Sequence, residues 1–224
     1  MSTSLQNLEA LLGHVFKNKA LLEQALTHAS VTRHQSYERL EFLGDRVLGA
    51  VVADLLYCHY PKELEGALAR RFTRLVCTET LADIALSVEL NNHMIIAKGE
   101  RSTGGHHKPS LLADVCEAVI AALYLDGGMD VASAFIKTHW IPLLEKMILP
   151  PVDAKTALQE LSQSKKKGIP IYTHLLQQGP NHAPLFTVEV TLEGYPPQQA
   201  TGTSKRIAEQ EAARKLLDLM EDRS

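Results

Sequence analysis

The chain has no run of roughly 20 consecutive apolar residues, the length needed to cross a bilayer. Its first residues, MSTSLQNLEALLG, contain neither the basic nor the apolar region of a secretory leader. Both absences predict a cytoplasmic protein with no membrane partner. Cysteine is scarce: Cys58, Cys77 and Cys116 are odd in number, far apart and set among apolar residues. The pattern argues against a disulfide framework and predicts buried free thiols in a reducing compartment. No Cys/His spacing of the zinc type occurs, and there is no internal repeat or low-complexity tract. Net charge is also small, at −3, and neither supports nor excludes a nucleic-acid partner. That average hides an asymmetry. Residues 1–154 hold 14 Lys+Arg against 18 Asp+Glu, a net of −4, whereas residues 155–224 hold 9 against 8, a net of +1.

What is present suits a folded core. Apolar residues make up 45% of the 224 positions and charged ones 22%, enough for one large domain or two unequal ones. Residues 5–30 read as two short helices, LQNLEALLGHVF and KNKALLEQALTHAS. A long apolar helix runs from Tyr37 to near Tyr57, then KELEGALARRFTRLVC and TETLADIALSVEL continue the 3.6-residue period. KGERSTGGHHKPS reads as a loop. LLADVCEAVIAALYLDGG is a second strongly apolar helix stopped by Gly127-Gly128, and VASAFIKTHWIPLLEKMI is another helix. Strand-like alternation is missing before residue 150, so residues 1–148 are expected to form an all-α domain. Leu149-Pro150-Pro151-Val152-Asp153 marks a stiff linker over residues 149–154. From residue 155 to 224 the order changes to α-β-β-β-α, a small α+β domain. KTALQELSQSKKK is its first helix, IPIYTHLLQQ, PLFTVEVTLE and PPQQATGT its strands, and SKRIAEQEAARKLLDLM its last helix. Pro196 and Pro197 confine the third strand to a sheet edge or to its own start.

Two helices carry acids where apolar residues are expected. Glu38, Glu41 and Asp45 fall within about one sixth of the first helix's circumference, amid Leu40, Phe42, Leu43, Val47 and Leu48. Such a helix is expected to be buried nearly all round, bringing its carboxylates toward the interior. Asp114 and Glu117 repeat the pattern on the second helix. Buried carboxylates need a partner. One reading pairs them with Arg39 or Arg46; the other gathers them around a hard cation such as magnesium or manganese, which suits oxygen ligands and phosphoryl chemistry.

YERLEFLGDRVL resembles the signature of the ribonuclease III family, usually written ERLEFLGDS, and LLADVCEAVIAALYLDGG resembles that family's second catalytic helix. The α-β-β-β-α tail resembles a double-stranded-RNA-binding domain, so the likeness spans nearly the whole chain in the bacterial architecture. The resemblance implies Mg2+ (with Mn2+ able to substitute) held by Glu41, Asp114 and Glu117. The same resemblance implies that Asp45 and Glu117 belong to the catalytic cluster, that Glu38 supports it and that Glu65 is an auxiliary acid. It also implies a homodimer with Phe42 at the interface, and no nucleotide cofactor. Arg46 departs from the signature, which usually carries serine there.

The tail offers its own argument for RNA. Lys205 and Arg206 open the last helix, where cations oppose the positive end of the helix dipole by about 0.3–1 kcal/mol each unless an anion docks there. Ala208, Ala212 and Ala213 suit close packing on a sheet. The resemblance places Thr156, Gln159, Glu160 and Gln163 in one RNA minor groove and His182 of the GPNHA turn in the next, with Lys205 and Arg206 on the phosphates between. The implied activity is hydrolysis of double-stranded RNA to 5′-phosphate and 3′-hydroxyl ends with short 3′ overhangs, in processing of ribosomal and messenger RNA. A non-catalytic RNA-binding relative would have lost one of Glu41, Asp45, Asp114 or Glu117; all four are present. A helical phosphohydrolase of small molecules would leave the tail unexplained.

Overall fold

The structure is a computed structural model that describes residues 2–32, 34–150, 153–179 and 184–221. The chain divides into two compact units, Met1–Pro151 and Val152–Ser224. Positions 151 and 152 of the expected linker, and the expected groove-binding turn with His182, lie outside the described residues.

The first unit runs α1 (Ser2–Leu12), α2 (Lys19–Leu26), α3 (Glu38–His59), α4 (Glu65–Leu75), α5 (Thr78–Ser87), α6 (Leu90–His93), α7 (Lys98–Ser102), a 3-10 turn (Gly105–His107) and α8 (Pro109–Lys146). Helices α3 and α8 pack against each other at the centre. Leu48 and Val52 of α3 share one buried cluster with Val115, Val119 and Leu123 of α8. From Leu112 to Leu123 every α8 residue is buried except Asp114 and Glu117. By length and composition alone α8 could cross a membrane, although it holds no unbroken apolar run of 20 residues. Here it forms the core of a helical unit instead. The double glycine breaks it as expected, with Gly128 leaving helical geometry at φ 81°. Just before that break the buried Asp126 carboxylate accepts from Lys17 N (2.9 Å) and Asn18 N (2.8 Å) and pairs with His14 (2.8 Å). Those bonds pin the start of α2 to the middle of α8.

Three expectations need correction. Helix α3 is not buried all round, because Phe42 and Tyr57 project from it at 64% and 74% exposure. Its composition is apolar, but only one side meets the core. Residues 98–107 are not a plain loop: α7 and the 3-10 turn form there, tied by Lys108–Glu100 (2.6 Å) and by Arg101 donating to Met94 O (3.1 Å). Of the three thiols only Cys116 is buried; Cys77 is half-buried and Cys58 exposed.

At the far end of α8, Arg71 is 1% exposed, lies 3.7 Å over the Tyr60 ring and grips both oxygens of Glu63 at 2.8 and 2.6 Å. It also donates to Met147 O, and Tyr60 Oη donates to Leu144 O at 2.9 Å. Carbonyls at the α8 terminus thereby accept hydrogen bonds from side chains.

The second unit packs α9 (Ala154–Ser164) and α10 (Lys205–Glu221) on an antiparallel sheet, β1 (Ile171–Gln178), β2 (Leu185–Leu192) and β3 (Tyr195–Gly202), in the order β1-β2-β3. Val188, Val190 and Leu192 alternate inward on β2. Strand β3 is an edge with its two prolines at the start. Ala208, Ala212 and Ala213 are buried. Asp153 caps α9 by accepting from Thr156 N (3.0 Å) and also takes Gln210 Nε2 (2.9 Å), which ties the two helices together.

Candidate active site

Gly44 sets the site. A β-carbon built there would lie 1.8 Å from the backbone oxygen of Glu117, so α3 and α8 touch backbone to backbone at this point. Only glycine permits that approach. It places Glu41, one turn before it, and Asp45, the next residue, across from Asp114 and Glu117.

Tyr37, buried beside the first turn of α3, donates its hydroxyl to Asp114 Oδ2 at 3.3 Å. His28 stands 5.7 Å from the Tyr37 ring, between centroids. It is held there by a parallel bridge between Thr27 and Ile95, with His28 N donating to Ile95 O at 2.9 Å. Ser36 Oγ donates to Glu38 Oε2 at 2.9 Å, fixing the outermost acid. Asp45 is half-exposed and accepts from Arg46 Nη1 at 2.5 Å.

The acids feel one another strongly. Burial, then the charges of Asp45, Glu41 and Asp114, push Glu117 up to about 8, with Arg46 opposing. Burial and the charges of Asp114, Glu38 and Asp45 raise Glu41. Burial raises Asp114 against the opposing Tyr37 hydrogen bond and the nearby His28. Burial, with Asp114 adjacent, also raises Tyr37, keeping its hydroxyl a donor. Carboxylates that oppose one another's ionisation are a donor set suited to a hard divalent cation, whose charge reverses that cost. Glu41, Asp114 and Glu117 are the acids that burial raises here, with Asp45 and Glu38 alongside. Among the described residues no three Asp, Glu, His or Cys groups are gathered closely enough to enclose an ion as they stand.

The structure thus brings Glu38, Glu41, Asp45, Asp114 and Glu117 together. Glu65 opens α4, exposed, and is not among the charges acting on the other acids. Phe42 faces solvent beneath Arg46, whose guanidinium carbon sits 4.3 Å over the ring. In the second unit Thr156, Gln159, Glu160 and Gln163 are exposed on one face of α9, and Lys205 and Arg206 are exposed in the first turn of α10. Sequence reasoning missed Tyr37, Gly44 and His28. The tyrosine and glycine sit inside the motif, but what they touch is more than 70 residues away in the chain. Nothing local marks His28.

Comparison with known proteins agrees with this architecture. Residues 18–144 match the ribonuclease-III-like family and residues 154–220 the double-stranded RNA binding motif. Proteins named Ribonuclease 3 from Ehrlichia canis (strain Jake) and Wolbachia pipientis subsp. Culex pipiens are similar over nearly the full chain. The first is 42% identical over 97% of this chain and 98% of its own length; the second is 44% identical over 93% of each. Among solved structures, a nuclease domain of ribonuclease III from Campylobacter jejuni, described as flexible in a region involved in dimer formation, superposes with TM-score 0.59 and 38% identity. That match covers 61% of this chain and 99% of the other. Helical nuclease unit, opposed acids and RNA-binding tail converge with these matches: the chain belongs to the ribonuclease III family.

Proposed function

We propose that this chain is a cytoplasmic, homodimeric endoribonuclease that hydrolyses phosphodiester bonds in double-stranded RNA with magnesium, manganese serving in its place. The observation that carries the reading is the set of acids opposed across the Gly44 contact, in a chain that also holds an α-β-β-β-α unit. Glu41, Asp114 and Glu117 hold the cation. When bound, the ion acts as a Lewis acid that eases deprotonation of water and offsets charge gathering on the phosphate oxygens. Tyr37 holds Asp114 in place through its hydroxyl. Asp45, at the open edge of the cluster, is placed to take the proton that the attacking water loses. The water oxygen bonds to phosphorus as the bond to the 3′-oxygen breaks, leaving a 5′-phosphate and a 3′-hydroxyl. Glu38 supports the cluster from the rim, and Glu65 is assigned an auxiliary part by family resemblance alone.

Two catalytic units, one per subunit, cut the two strands a few nucleotides apart and leave short 3′ overhangs. The exposed Phe42 supports a subunit interface at α3, since a phenylalanine so bare is better accommodated against a partner. Thr156, Gln159, Glu160 and Gln163 meet one minor groove, His182 the next, and Lys205 and Arg206 the phosphates between. A short linker between α8 and α9 joins the units. The resulting roles are in maturation of ribosomal and messenger RNA.

The test is a cleavage assay on one defined duplex with magnesium, with product ends mapped and a single strand as control. Glu117→Gln should abolish cutting and leave duplex binding within about twofold of wild type, because binding energy comes mainly from phosphate contacts elsewhere. Wild type that binds the duplex yet never cuts it across magnesium and manganese titrations would refute the proposal.

A further inference from the structure

Arg46, the residue that departs from the family signature, does not point idly to solvent. Its Nη1 donates to Asp45 Oδ2 at 2.5 Å and to Phe42 O at 3.4 Å, and its guanidinium lies over the Phe42 ring at 4.3 Å. The flat ring and the carbonyl together fix the orientation of the group, and its charge reaches Glu117 in the cluster. Nη1 is committed to the protein, while Nε and Nη2 have no acceptor among the described residues. A serine at this position could supply neither the charge nor the stack.

We infer that Arg46 is a positioning residue that acts as a built-in counter-ion, competing with the divalent cation for the acid cluster until an RNA phosphate draws it off. In the RNA-free protein the guanidinium occupies an oxygen of Asp45 and repels an incoming cation. A duplex backbone offers phosphate oxygens, which guanidinium binds through paired N–H groups better than it binds one oxygen of a half-exposed carboxylate. Exchange from Asp45 to phosphate frees the acid and adds a positive charge beside the reacting phosphodiester. Cation affinity thus rises when substrate arrives, and by linkage RNA binds tighter when the cation is present. This rests on the proposed metal-dependent cleavage of duplex RNA.

The experiment compares wild type, Arg46→Ser and Arg46→Lys. Mn2+ binding to the free protein is measured by electron paramagnetic resonance, without RNA. Binding to one defined RNA duplex is measured separately in chelator, where no cleavage intervenes. Removing one fixed charge from the neighbourhood of a divalent ion predicts that Arg46→Ser binds Mn2+ roughly threefold to tenfold tighter, after screening. The same variant should bind the duplex about threefold more weakly, and Arg46→Lys, which keeps the charge, should stay nearer wild type in both. Equal or weaker Mn2+ affinity in Arg46→Ser, or unchanged duplex affinity, overturns the inference while leaving the cleavage reading intact. A wild type that never cuts the duplex refutes the reading beneath it instead.

Discussion

Replacing Gly44 with alanine tests whether the site's spacing is set by backbone contact. The added carbon would sit 1.8 Å from the Glu117 carbonyl oxygen and 2.5 Å from its carbon. Neither atom is the end of a flexible side chain, so relief must come from moving a helix. Restoring even 3.0 Å demands a local separation of about 1.2 Å between α3 and α8, which are the centre of the core. Overpacking of this kind costs about 1–3 kcal/mol, and more where backbone must shift. Alanine's better helix propensity returns at most about 1 kcal/mol. A net loss of about 2 kcal/mol corresponds to a drop in Tm of roughly 4–8 °C for a chain of this size. The displacement also falls between the two pairs of acids, and a misplacement near 1 Å is worth about 10²-fold in rate. Gly49, 5 residues along the same helix, supplies the contrast. A β-carbon there meets only the Phe72 ring edge at 3.6 Å, so Gly49→Ala should fold and cut normally and gain about 0.5–1 kcal/mol. Differential scanning calorimetry and single-turnover cleavage at low temperature, where both variants are folded, measure the two effects. A Gly44→Ala protein with wild-type Tm and rate would refute the argument.

Three further outcomes follow from the bonding described above. Burial opposes ionisation of Asp126, but the N–H groups of Asn18 and Lys17 and the His14 pair outweigh it and hold the carboxyl below its usual range. Its stabilisation is therefore present above the unfolded value near pH 4 and fades as pH falls through the lower folded value. Asp126→Asn should accordingly be less stable than wild type at pH 7, with the gap closing in acid denaturation below about pH 4. Arg71→Met should lose on the order of 2–3 kcal/mol in urea unfolding, below the usual figure for a broken buried pair because Glu63 keeps some solvent; no change in the midpoint would contradict its role at the α8 terminus. Lys205→Ala with Arg206→Ala should weaken duplex binding evenly across sequences and cut the slope of log K against log salt by about 2. A sequence-selective loss would point to base contacts instead.

The helices were legible because burial imposes a 3.6-residue period on the chain, and the α8 break because Gly127-Gly128 is a strong local stop. The acids of α3 and α8 were legible for the opposite reason: Glu41 and Glu117 violate the pattern around them. Local pattern failed where tertiary contacts decide. The short α7 and its 3-10 turn depend on Glu100 and Arg101 reaching Lys108 and Met94. The apolar count of α3 could not distinguish Val52, which meets the core, from Phe42, which does not. The pairing of Tyr37 with Asp114 spans 77 positions and leaves no periodic trace.

The uneven exposure of the three thiols gives the protein a natural site for a probe. Cys116, next to Glu117, is buried and its thiol is pushed up by burial and by that neighbour, so alkylating reagents pass over it. Cys77 is half-buried, its sulfur engaged with Arg74 O at 3.2 Å. Cys58 alone is open to solvent. It lies on the same helix as Asp45, roughly 20 Å away at 1.5 Å per residue. A maleimide dye or spin label thus reaches one chosen place on α3 without a cysteine being added or removed, and reports from a known distance on a paramagnetic ion among the acids.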